Sequence, residues 1–589
     1  MAATKSGSVK SKSSKLVVAA IDFGTTFSGY AFALRHDFEA DPPKISANTS
    51  WIAGGQLISL KTPTVLLLDP EQNFEAFGFD AEDKYAELAA ENDHKGYFYF
   101  RRFKMKLYNS THLKRDTMLE DEQGKKMNAI KVFSICIKYL MEHFMKTVKN
   151  RVTDVSDKDV DWVLTVPAIW NDSSKQFMRE AAEMAGIKKD SLTIALEPEA
   201  ASLFCMHLPV EQLNMSGASM SQSQMSPFST SQRYMVVDVG GGTVDITVHE
   251  VVGKGQLKEL NWASGGAWGG TRVDAAFEDF IRKLVGKEVF EEFKKTCVED
   301  FVELQRQFET KKRSIKHDKT GKETIQIPVA LTELYNKKTK KDMGDAVKQF
   351  QGNLAWTAGK LRVNCDLMRG WFKETCDNTV KHVRELFQQP ASSSCKTILL
   401  VGGFSESPLL QQALRDNFPD KRLIVPEEAG LAVLKGAVLY GHDPVTIVSR
   451  VAKCSYGIRV YRDFIEGTHP NSKKQNIGGR IKCKDVFARH VKKGQELIAG
   501  EPQSSQRYTP LEADQLSLVF DVYTSPEEDP QYVTDVGSVH IGQLEVDVPD
   551  SGKERGVWVK MIFGGTELTV HATDEKTQKV SKASFDFLQ

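Results

Sequence analysis

The sequence has few cysteines for its length, and their positions follow no metal-binding pattern. Eight cysteines are scattered over 589 residues, and no two of them form a CxxC pair. Scattered cysteines without regular spacing are typical of free thiols in a reducing compartment. We therefore predict no metal ligand and no nucleophile among them.

Long hydrophobic runs are also missing. No stretch of the sequence approaches the ~20 consecutive apolar residues that a membrane-spanning helix needs. The N-terminal residues 1–15 are rich in Ser and Lys, and no long apolar segment with a cleavage site follows them, which argues against a secretory signal. We therefore predict no membrane span, and the cytoplasm as the default location with the nucleus as an alternative.

Neither sign of charge predominates in the chain. Lys and Arg together number 78, and Asp and Glu together also number 78. The whole chain therefore has no electric field that would draw it to nucleic acid or to an anionic membrane, although a local basic patch is not excluded. We predict that nucleic acid is not a partner.

The length predicts several domains. Hydrophobic residues make up 41% of the chain and charged residues 26%, which is typical of a soluble globular protein too long for one core. Helical patterns stop near residue 443, and strand patterns follow. The predicted parts are a disordered tail (1–15), a large α/β domain (16–442) with a flexible Ser-, Met- and Gln-rich insertion (206–232), a linker (443–451) and a β-rich domain (452–589).

Two short apolar runs end in glycine turns. Residues 16–21 lead into the first turn, and residues 234–237 lead into the second. Apolar and polar residues then alternate over 244–249, which predicts a half-buried strand and therefore a hairpin around the second turn. Near the C-terminus, alternating residues on both sides of a Gly-Gly pair predict another hairpin over 557–572.

Helical patterns lie between these strands. Large apolar residues recur every three to four positions over 128–148, which predicts a long helix. A second helix is predicted over 171–186, with a capping box of Ser173 and Gln176 and an apolar stripe that includes Met184. Strands that alternate with helices indicate layered α/β architecture.

The two glycine turns carry the groups that a nucleoside triphosphate requires, namely open backbone N–H groups, hydroxyls and carboxylates for Mg²⁺. The first turn comprises Gly24, Thr25 and Thr26 and follows Asp22. The second turn comprises Gly240, Gly241, Gly242 and Thr243 and lies between Asp238 and Asp245. One such turn alone is typical of an ordinary hairpin. Two related turns, each after an apolar strand, predict a duplicated fold that holds one nucleotide from both sides.

Other glycines and one polar helix face are less specific. Gly402 and Gly403 follow an apolar strand, where they would let the backbone approach adenosine or would simply turn the chain into a helix. Gly269 and Gly270 belong to a glycine cluster around Trp268, which suggests a ligand-facing loop. The residues Glu309, Lys312 and Arg313 lie three and four positions apart on one helix face, a pattern that by itself is typical of a solvated face.

Seven strings in chain order together resemble the 70-kDa heat-shock protein family, and within it the divergent branch called heat shock 70 kDa protein 12. The strings are IDFGTTFS (21–28), VLTVPAIWND (163–172), LEPEAA (196–201), VDVGGGTVD (237–245), GAWGGTRVD (266–274), VGGF (401–404) and PEEAGLAVLKGA (426–437). The resemblance runs from about residue 16 to 442 and more loosely through the β-rich part.

The resemblance implies the fold class and the cofactors. It implies an α/β protein with a two-lobed, actin-like ATPase domain, built as a duplicated ribonuclease H-like fold. A small antiparallel β-sandwich domain without a helical lid would follow it. It also implies binding of ATP or ADP with Mg²⁺ between the lobes and slow hydrolysis by in-line attack of water.

The resemblance also assigns roles to residues. The implied metal set, acting mainly through water, is Asp22, Asp238 and Asp245. The implied catalytic set is Asp238, Glu197, Thr243 and a basic residue, which is either Lys104 or Arg102, with Lys104 preferred. The implied cofactor-binding set comprises Asp22, Gly24, Thr25, Thr26, Gly240, Gly241, Gly242, Thr243, Asp245, Gly269, Gly270, Glu309, Lys312, Arg313, Gly402 and Gly403.

Two departures from the family pattern affect function. Glu406 stands where the family usually has an arginine beside adenosine, with Phe404 next to the glycine pair, so the base pocket must be built differently. Residues 443–451 lack the strongly apolar, acid-flanked linker of typical members, which predicts weak coupling between the domains.

Three functions compete on these observations. The first is an ATP-dependent, chaperone-like protein whose β-rich domain binds protein or peptide clients, with nucleotide-exchange or J-type co-chaperones as further partners. The second is a signalling or adaptor protein whose partner recognises the ATP-bound shape. The third is a small-molecule kinase, which the β-rich domain argues against.

Overall fold

The fold is mixed α/β, with two large sheets joined by helices and two smaller sheets after them. The computed structural model describes residues 12–48, 51–53, 57–110, 113–152, 154–209, 212–216, 228–253, 255–350, 352–548, 555–564, 567–584 and 587–588. Among these residues, no helix has both the length and the apolar character that crossing a membrane requires.

The first large sheet has six strands and is built around the strand that enters the first turn. Its strands are Leu192–Leu196, Val160–Val166, Val17–Phe23, Phe27–Leu34, Ser46–Ala47 and Thr62–Pro63. Val17–Phe23 pairs in parallel with Val160–Val166 and antiparallel with Phe27–Leu34. Because it has neighbours on both sides, all seven of its residues are buried, which confirms the strand predicted at residues 16–21.

The second large sheet has eight strands and contains the second turn. Their order is Leu213–Ser216, Arg422–Pro426, Thr397–Val401, Arg233–Val239, Val244–Gly253, Gln256–Gly266, Ile447–Val451 and Glu496–Ile498. The hairpin predicted around the second turn is confirmed. Its second strand is not half-buried as predicted, because its polar face, with Asp245, Thr247 and His249, lies against the other half of the molecule and not in solvent.

Helices cover both sheets and define two lobes, which we call lobe I (the six-stranded sheet and its helices) and lobe II (the eight-stranded sheet and its helices). The helices are Arg35–Phe38, Phe79–Ala90, Met105–Asn109, Ala129–Lys149, Asp172–Met184, Glu197–Met206, Thr271–Val285, Lys287–Thr296, Val298–Ser314, Val329–Thr339, Met343–Lys348, Cys365–Gly370, Lys373–Phe387, Pro408–Asn417 and Ala429–His442. Small sheets decorate the lobes at Trp51–Ala53 with Leu57–Ser59, Phe74–Phe77 with Val65–Leu68 and Phe98–Arg101, Met118–Glu120 with Lys126–Asn128, and Lys322–Gln326 with Lys360–Asn364 and Leu354–Thr357.

The two helices predicted in lobe I are present, but one of them is capped differently from the prediction. Asn171, and not Ser173, is the cap of Asp172–Met184, since its side chain accepts a hydrogen bond from the backbone N–H of Ser174 at 2.8 Å. Met184 was predicted in the apolar stripe, yet it is exposed because it lies in the last turn, beyond the part that packs on lobe I.

Two helices lie between the lobes and share one apolar core with both sheets. Glu197–Met206 and Ala429–His442 cross where Gly436 meets the carbonyl oxygen of Ala200, and a Cβ added at Gly436 would lie 1.6 Å from that oxygen. The shared core includes Val18 of lobe I and Val236 of lobe II. The spacing of the two lobes therefore depends on a glycine at this crossing.

After residue 451, two antiparallel sheets share an apolar core of their own. One sheet contains Lys474–Ile477, Arg480–Val491, Ser455–Asp463, Ser517–Ser525 and Val539–Asp547, and the other contains Pro502–Tyr508, Val557–Gly564, Glu567–Asp574 and Val580–Ser584. The C-terminal hairpin is confirmed, since Gly564 pairs with Glu567. We call these two sheets the β domain.

Part of the predicted insertion and part of the predicted tail take up defined structure. Within 206–232, the strand Leu213–Ser216 pairs with Arg422–Pro426 at the edge of lobe II, and Phe228 is buried. Residues 217–227 lie outside the described residues, as do residues 1–11 of the tail. Ser13 donates a hydrogen bond to Asp161 in lobe I at 2.7 Å.

Replacing Gly436 by alanine should destabilise the two-lobed fold. The added methyl group would collide with backbone, not with a flexible side chain, so the two helices must separate. Such overpacking typically costs about 1–3 kcal/mol, which urea unfolding would measure. Gly370 is the matched control, because a Cβ there would meet no atom within 4 Å. If G436A and G370A proved equally stable, the crossing would not set the spacing of the lobes.

Candidate nucleotide site

The two glycine turns face each other across a cleft of about 630 Å³ between the lobes. A Cβ added at Gly241 would lie 2.3 Å from the Thr26 hydroxyl, and one added at Gly242 would lie 2.5 Å from the Thr25 hydroxyl. Only glycine therefore allows the second turn to approach the hydroxyls of the first. The open backbone and paired hydroxyls form a cradle suited to phosphate oxygens.

Most of the residues predicted to bind the cofactor line this cleft, but two do not. The lining residues from the prediction are Asp22, Gly24, Thr25, Thr26, Lys104, Glu197, Asp238, Gly240, Gly241, Gly242, Thr243, Gly270, Glu309, Lys312, Arg313, Gly402 and Gly403. Gly269 lies behind the second turn, where its N–H donates to the carbonyl of Gly242 at 3.1 Å. Asp245 also lies behind it and accepts hydrogen bonds from the Thr243 hydroxyl and the Ile169 N–H.

We call the end of the cleft at the two glycine turns the phosphate end. Carboxylates outnumber ammonium groups there. Asp22, Glu197 and Asp238 line it. Lys104 Nζ lies 3.0 Å from Glu197 Oε1, and Lys61 Nζ lies 2.6 Å from Asp22 Oδ2. Asp238 has no cation within ion-pair distance among the described residues. This excess of negative charge suits a divalent cation.

The carboxylates are too dispersed to bind a metal ion by themselves. Within the described parts of the chain, no group of three Asp, Glu, His or Cys side chains is close enough to ligate an ion directly. Binding of Mg²⁺ here would therefore require phosphate oxygens and water to complete its coordination shell.

The neighbouring charges shift these carboxyl groups in different directions. Burial raises the pKa of Asp22, but the charges of Lys61 and Lys104 outweigh burial and leave that pKa below its usual value. Burial raises the pKa of Glu197 to about 7 despite Lys104. Burial and the charges of Glu197, Asp245 and Asp22 hold the pKa of Asp238 well above its usual range. Asp22 is thus the readily ionised group of the three, while Glu197 and Asp238 hold their protons more strongly than free carboxyl groups do.

The structure distinguishes between the two basic residues that the sequence left open. Lys104 is 3% exposed and points to the phosphate end, where its ammonium lies 5.0 Å from the centre of the Trp170 ring. Arg102 instead pairs with Asp274 of lobe II at 2.9 Å. Lys104 therefore lies near the glycine turns, while Arg102, which also lines the cleft, bridges the lobes.

The helix Val298–Ser314 brings its predicted polar face to the other end of the cleft. Lys312 is only 6% exposed, and its ammonium lies 2.7 Å from Asp274 and 2.5 Å from Glu309. Burial raises the pKa of Glu309, but Lys312 and Arg313 outweigh burial and lower it to about 2. This face is thus not a solvated helix face but part of the cleft wall.

Glycines and the two substituted residues form the opposite wall. Gly402 has φ +91°, and a Cβ there would lie 2.2 Å from Asp238 Oδ1. Gly403 faces open space in the cleft. Phe404 is buried and Glu406 is exposed, and both line the cleft. The two departures found in the sequence thus lie in the wall of this cleft.

Sequence reasoning missed one lysine of the site. Lys61 lies 39 positions from Asp22, its ion-pair partner, and belongs to none of the seven strings. The only local signal is the run of hydroxyl residues that follows it, Thr62 and Thr64, and this run is not specific. Only the folded chain brings Lys61 to the first turn.

Two lobes of related design that close on a cleft with paired glycine turns define an actin-like ATPase domain. The family model described as Hsp70 protein matches residues 100–475, more than half of the chain. Heat shock 70 kDa protein 12A of Mus musculus is 37% identical, with 97% of this chain and 92% of the relative aligned. Heat shock 70 kDa protein 12B of Homo sapiens is 35% identical, with 97% and 91% aligned. The chain belongs to the Hsp70 family of ATP-binding proteins.

Replacing Asp238 by asparagine should stabilise the protein without metal and nucleotide at pH 8, but not near pH 4. Because the pKa of Asp238 is raised in the folded state, its carboxyl group holds a proton that it releases in the unfolded chain. The stability of the folded protein therefore falls as the pH rises through the folded-state pKa. Asparagine remains neutral at every pH and avoids this loss. Thermal unfolding at both pH values would show a higher midpoint for D238N only at pH 8.

The exposed carboxylate Asp190 provides the control for this experiment. Replacing it by asparagine should change the midpoint little at either pH. A stabilisation by D238N that is equal at pH 4 and pH 8 would contradict the assignment, because it could not come from ionisation of Asp238.

Proposed function

We propose that this protein is an ATP-binding, slowly ATP-hydrolysing switch, whose nucleotide state modulates a C-terminal β domain that binds protein or peptide clients. The observation that supports nucleotide binding is the close approach of the two glycine turns, in which the Thr25 and Thr26 hydroxyls lie against Gly242 and Gly241. The proposal further assigns the β domain as a sandwich without a helical lid. In its support, no α-helix among the described residues follows residue 442.

Bound Mg²⁺ would supply positive charge to the phosphate oxygens, and Asp22 and Asp238 would hold it through water. Asp245 acts from behind the second turn, since it accepts the hydrogen bond of the Thr243 hydroxyl at 2.9 Å and so fixes its direction. The lone pairs of the Thr243 hydroxyl therefore remain available to a ligand in the cleft.

The remaining residues position the reactants for hydrolysis. Asp238 would orient the attacking water and accept its proton. Lys104, held by Glu197, would stabilise charge on the terminal phosphate. Catalysis of this type depends on positioning and electrostatics, and each group of this kind typically contributes about 10²–10³-fold.

One residue, Ile169, connects the nucleotide site to the β domain through its backbone N–H and its carbonyl. The N–H of Ile169 donates to Asp245 Oδ1 at 2.8 Å, and the carbonyl of Ile169 accepts a hydrogen bond from Lys453 Nζ at 2.8 Å. Asp245 orients Thr243, while Lys453 lies at the start of the β domain. A shift of the second turn on nucleotide binding would therefore reach the β domain through Ile169.

The linker supports the same coupling through polar contacts. Ile447–Val451 joins the lobe II sheet as a strand beside Gln256–Gly266. Arg450 forms a buried bidentate pair with Glu199, with both N–O distances 2.7 Å. Val451 N–H donates to Glu259 at 2.9 Å. The linker lacks the apolar pattern of typical members, but this ion pair anchors it to the helix whose first residue is Glu197.

The adaptor hypothesis keeps the same nucleotide site and differs only in the partner. The linker, which lacks the family's apolar pattern, and the absence of an α-helix after residue 442 among the described residues are the observations that favour it. Release of a denatured model peptide by ATP would favour the chaperone-like function, and ATP binding without such release would favour the adaptor.

Replacing Lys104 by methionine should slow ATP hydrolysis about 100-fold or more and preserve most of the affinity for MgATP, because the lost charge acts chiefly in the transition state. Single-turnover hydrolysis and calorimetry on the same sample would measure the two effects. Arg102→Met is the matched control, since Arg102 pairs with lobe II and does not face the phosphate end.

The outcome for R102M separates the two assignments. Its hydrolysis of bound ATP should remain near that of the unaltered protein. If R102M lost more hydrolysis than K104M, the roles assigned to these residues would be reversed, and if the unaltered protein bound no MgATP, the switch proposal itself would fail.

Replacing Arg450 by alanine should release the linker from lobe II. Removing one partner of a buried ion pair typically costs about 3–5 kcal/mol, so the amides of Ile447–Val451 should exchange hydrogen faster, and ATP should no longer change their protection. Hydrogen exchange with and without MgATP would measure this. Arg507→Ala, at an exposed pair with Glu575, should leave both values unchanged, and an unaltered response in R450A would contradict coupling through the linker.

A further inference from the structure

We propose that Lys61 is a second phosphate-binding lysine of the nucleotide site and that it keeps its ion pair with Asp22 when a phosphate binds. The inference rests on the proposed binding of ATP. No motif of the sequence contains Lys61, and the assignment depends on the way the fold carries this side chain into the cleft.

The chain segment that carries Lys61 is bound directly to the first turn. Thr64 N–H donates to the carbonyl of Thr26 at 2.8 Å, and the Thr64 hydroxyl donates to the carbonyl of Gly24 at 2.8 Å. The Thr64 hydroxyl also lies 2.7 Å from that of Ser28. Lys61 is therefore fixed to the same backbone that presents Thr25 and Thr26 to the cleft.

The neighbouring strand leaves room for the lysine side chain. A Cβ added at Gly29 would lie 3.1 Å from Cγ of Lys61, so a larger residue there would press on the lysine stem. The side chain is 15% exposed and lines the cleft. The fold thus holds an extended lysine along Phe27–Leu34, with its ammonium at the phosphate end.

The ammonium retains hydrogen-bonding capacity. Its only hydrogen-bond acceptor among the described residues is Asp22 Oδ2, at 2.6 Å, whereas an ammonium group has three N–H donors. Asp22 is already held by the Thr165 hydroxyl at 3.0 Å. A phosphate oxygen can therefore bond to Lys61 without breaking the pair with Asp22.

The balance of charge also favours this role. Lys104 is paired with Glu197 and Lys61 with Asp22, so the two lysines approach the phosphate end from different elements of lobe I. The attraction within a buried ion pair offsets the free-energy cost of its desolvation only in part. A lysine of such a pair that also binds an anion gains a charge-assisted hydrogen bond. Lys61 would bind the phosphates from the side of the first turn.

The test compares ligands that differ in phosphate. Lys61→Met should weaken MgATP binding about 10- to 100-fold, as expected for one lost charge-assisted hydrogen bond, weaken MgADP binding less or equally, and leave adenosine binding unchanged. Calorimetry would give the three affinities. Lys61→Arg, which keeps the charge, should restore part of the loss, and Lys126→Met, at an exposed pair with Glu120, should change none of them.

Each other outcome overturns the inference. Unchanged MgATP affinity in K61M would show that Lys61 meets no phosphate. An equal loss for MgATP and adenosine would show that the lysine only supports the fold of the cleft. Binding of MgATP by the unaltered protein is measured in the same series, and its absence would instead overturn the proposed function together with this inference.

Discussion

The arrangement of the molecule depends on the contact between Gly436 and the backbone of Ala200, where two helices cross between the lobes. This crossing sets how closely the two sheets approach, and the sheets carry the two glycine turns at the ends of their central strands. The hydroxyls of Thr25 and Thr26 meet Gly241 and Gly242 only at this spacing. A side chain at the crossing would therefore change the nucleotide site without touching it.

The cleft combines close packing with unbalanced charge. Burial and the neighbouring carboxylates raise the pKa values of Glu197 and Asp238, so these groups make the cleft less stable at neutral pH than apolar residues in the same places would. A bound cation with phosphates would relieve this repulsion, and ligand binding would therefore also stabilise the fold. The role proposed for Asp238 thus opposes stability at this position.

The connection between the domains is polar where the family pattern would suggest an apolar one. Arg450 and Glu199 form a buried pair at the linker, and Lys453 reaches the carbonyl of Ile169. Hydrogen bonds and ion pairs have strict geometry and respond to small displacements, whereas apolar contacts tolerate sliding. The low apolar content of the linker, which predicted weak coupling, therefore does not by itself decide how strongly the domains interact.

Local sequence patterns determined several strands, helices and turns of this protein. The strands before the turns, the helix after Asn128 and the glycine turns follow from patterns within a few residues, because burial and turn geometry act locally there. The sequence did not decide between Lys104 and Arg102, predicted a half-buried strand at 244–249, and contained no signal for Lys61. Those outcomes depend on which distant segments meet. The burial of a strand depends on what covers the sheet, and the role of a lysine depends on which carboxylate the fold brings to it. Side-chain charge and backbone preference are properties of the sequence, but the distance between two charges, and hence their interaction, is decided only by the tertiary structure.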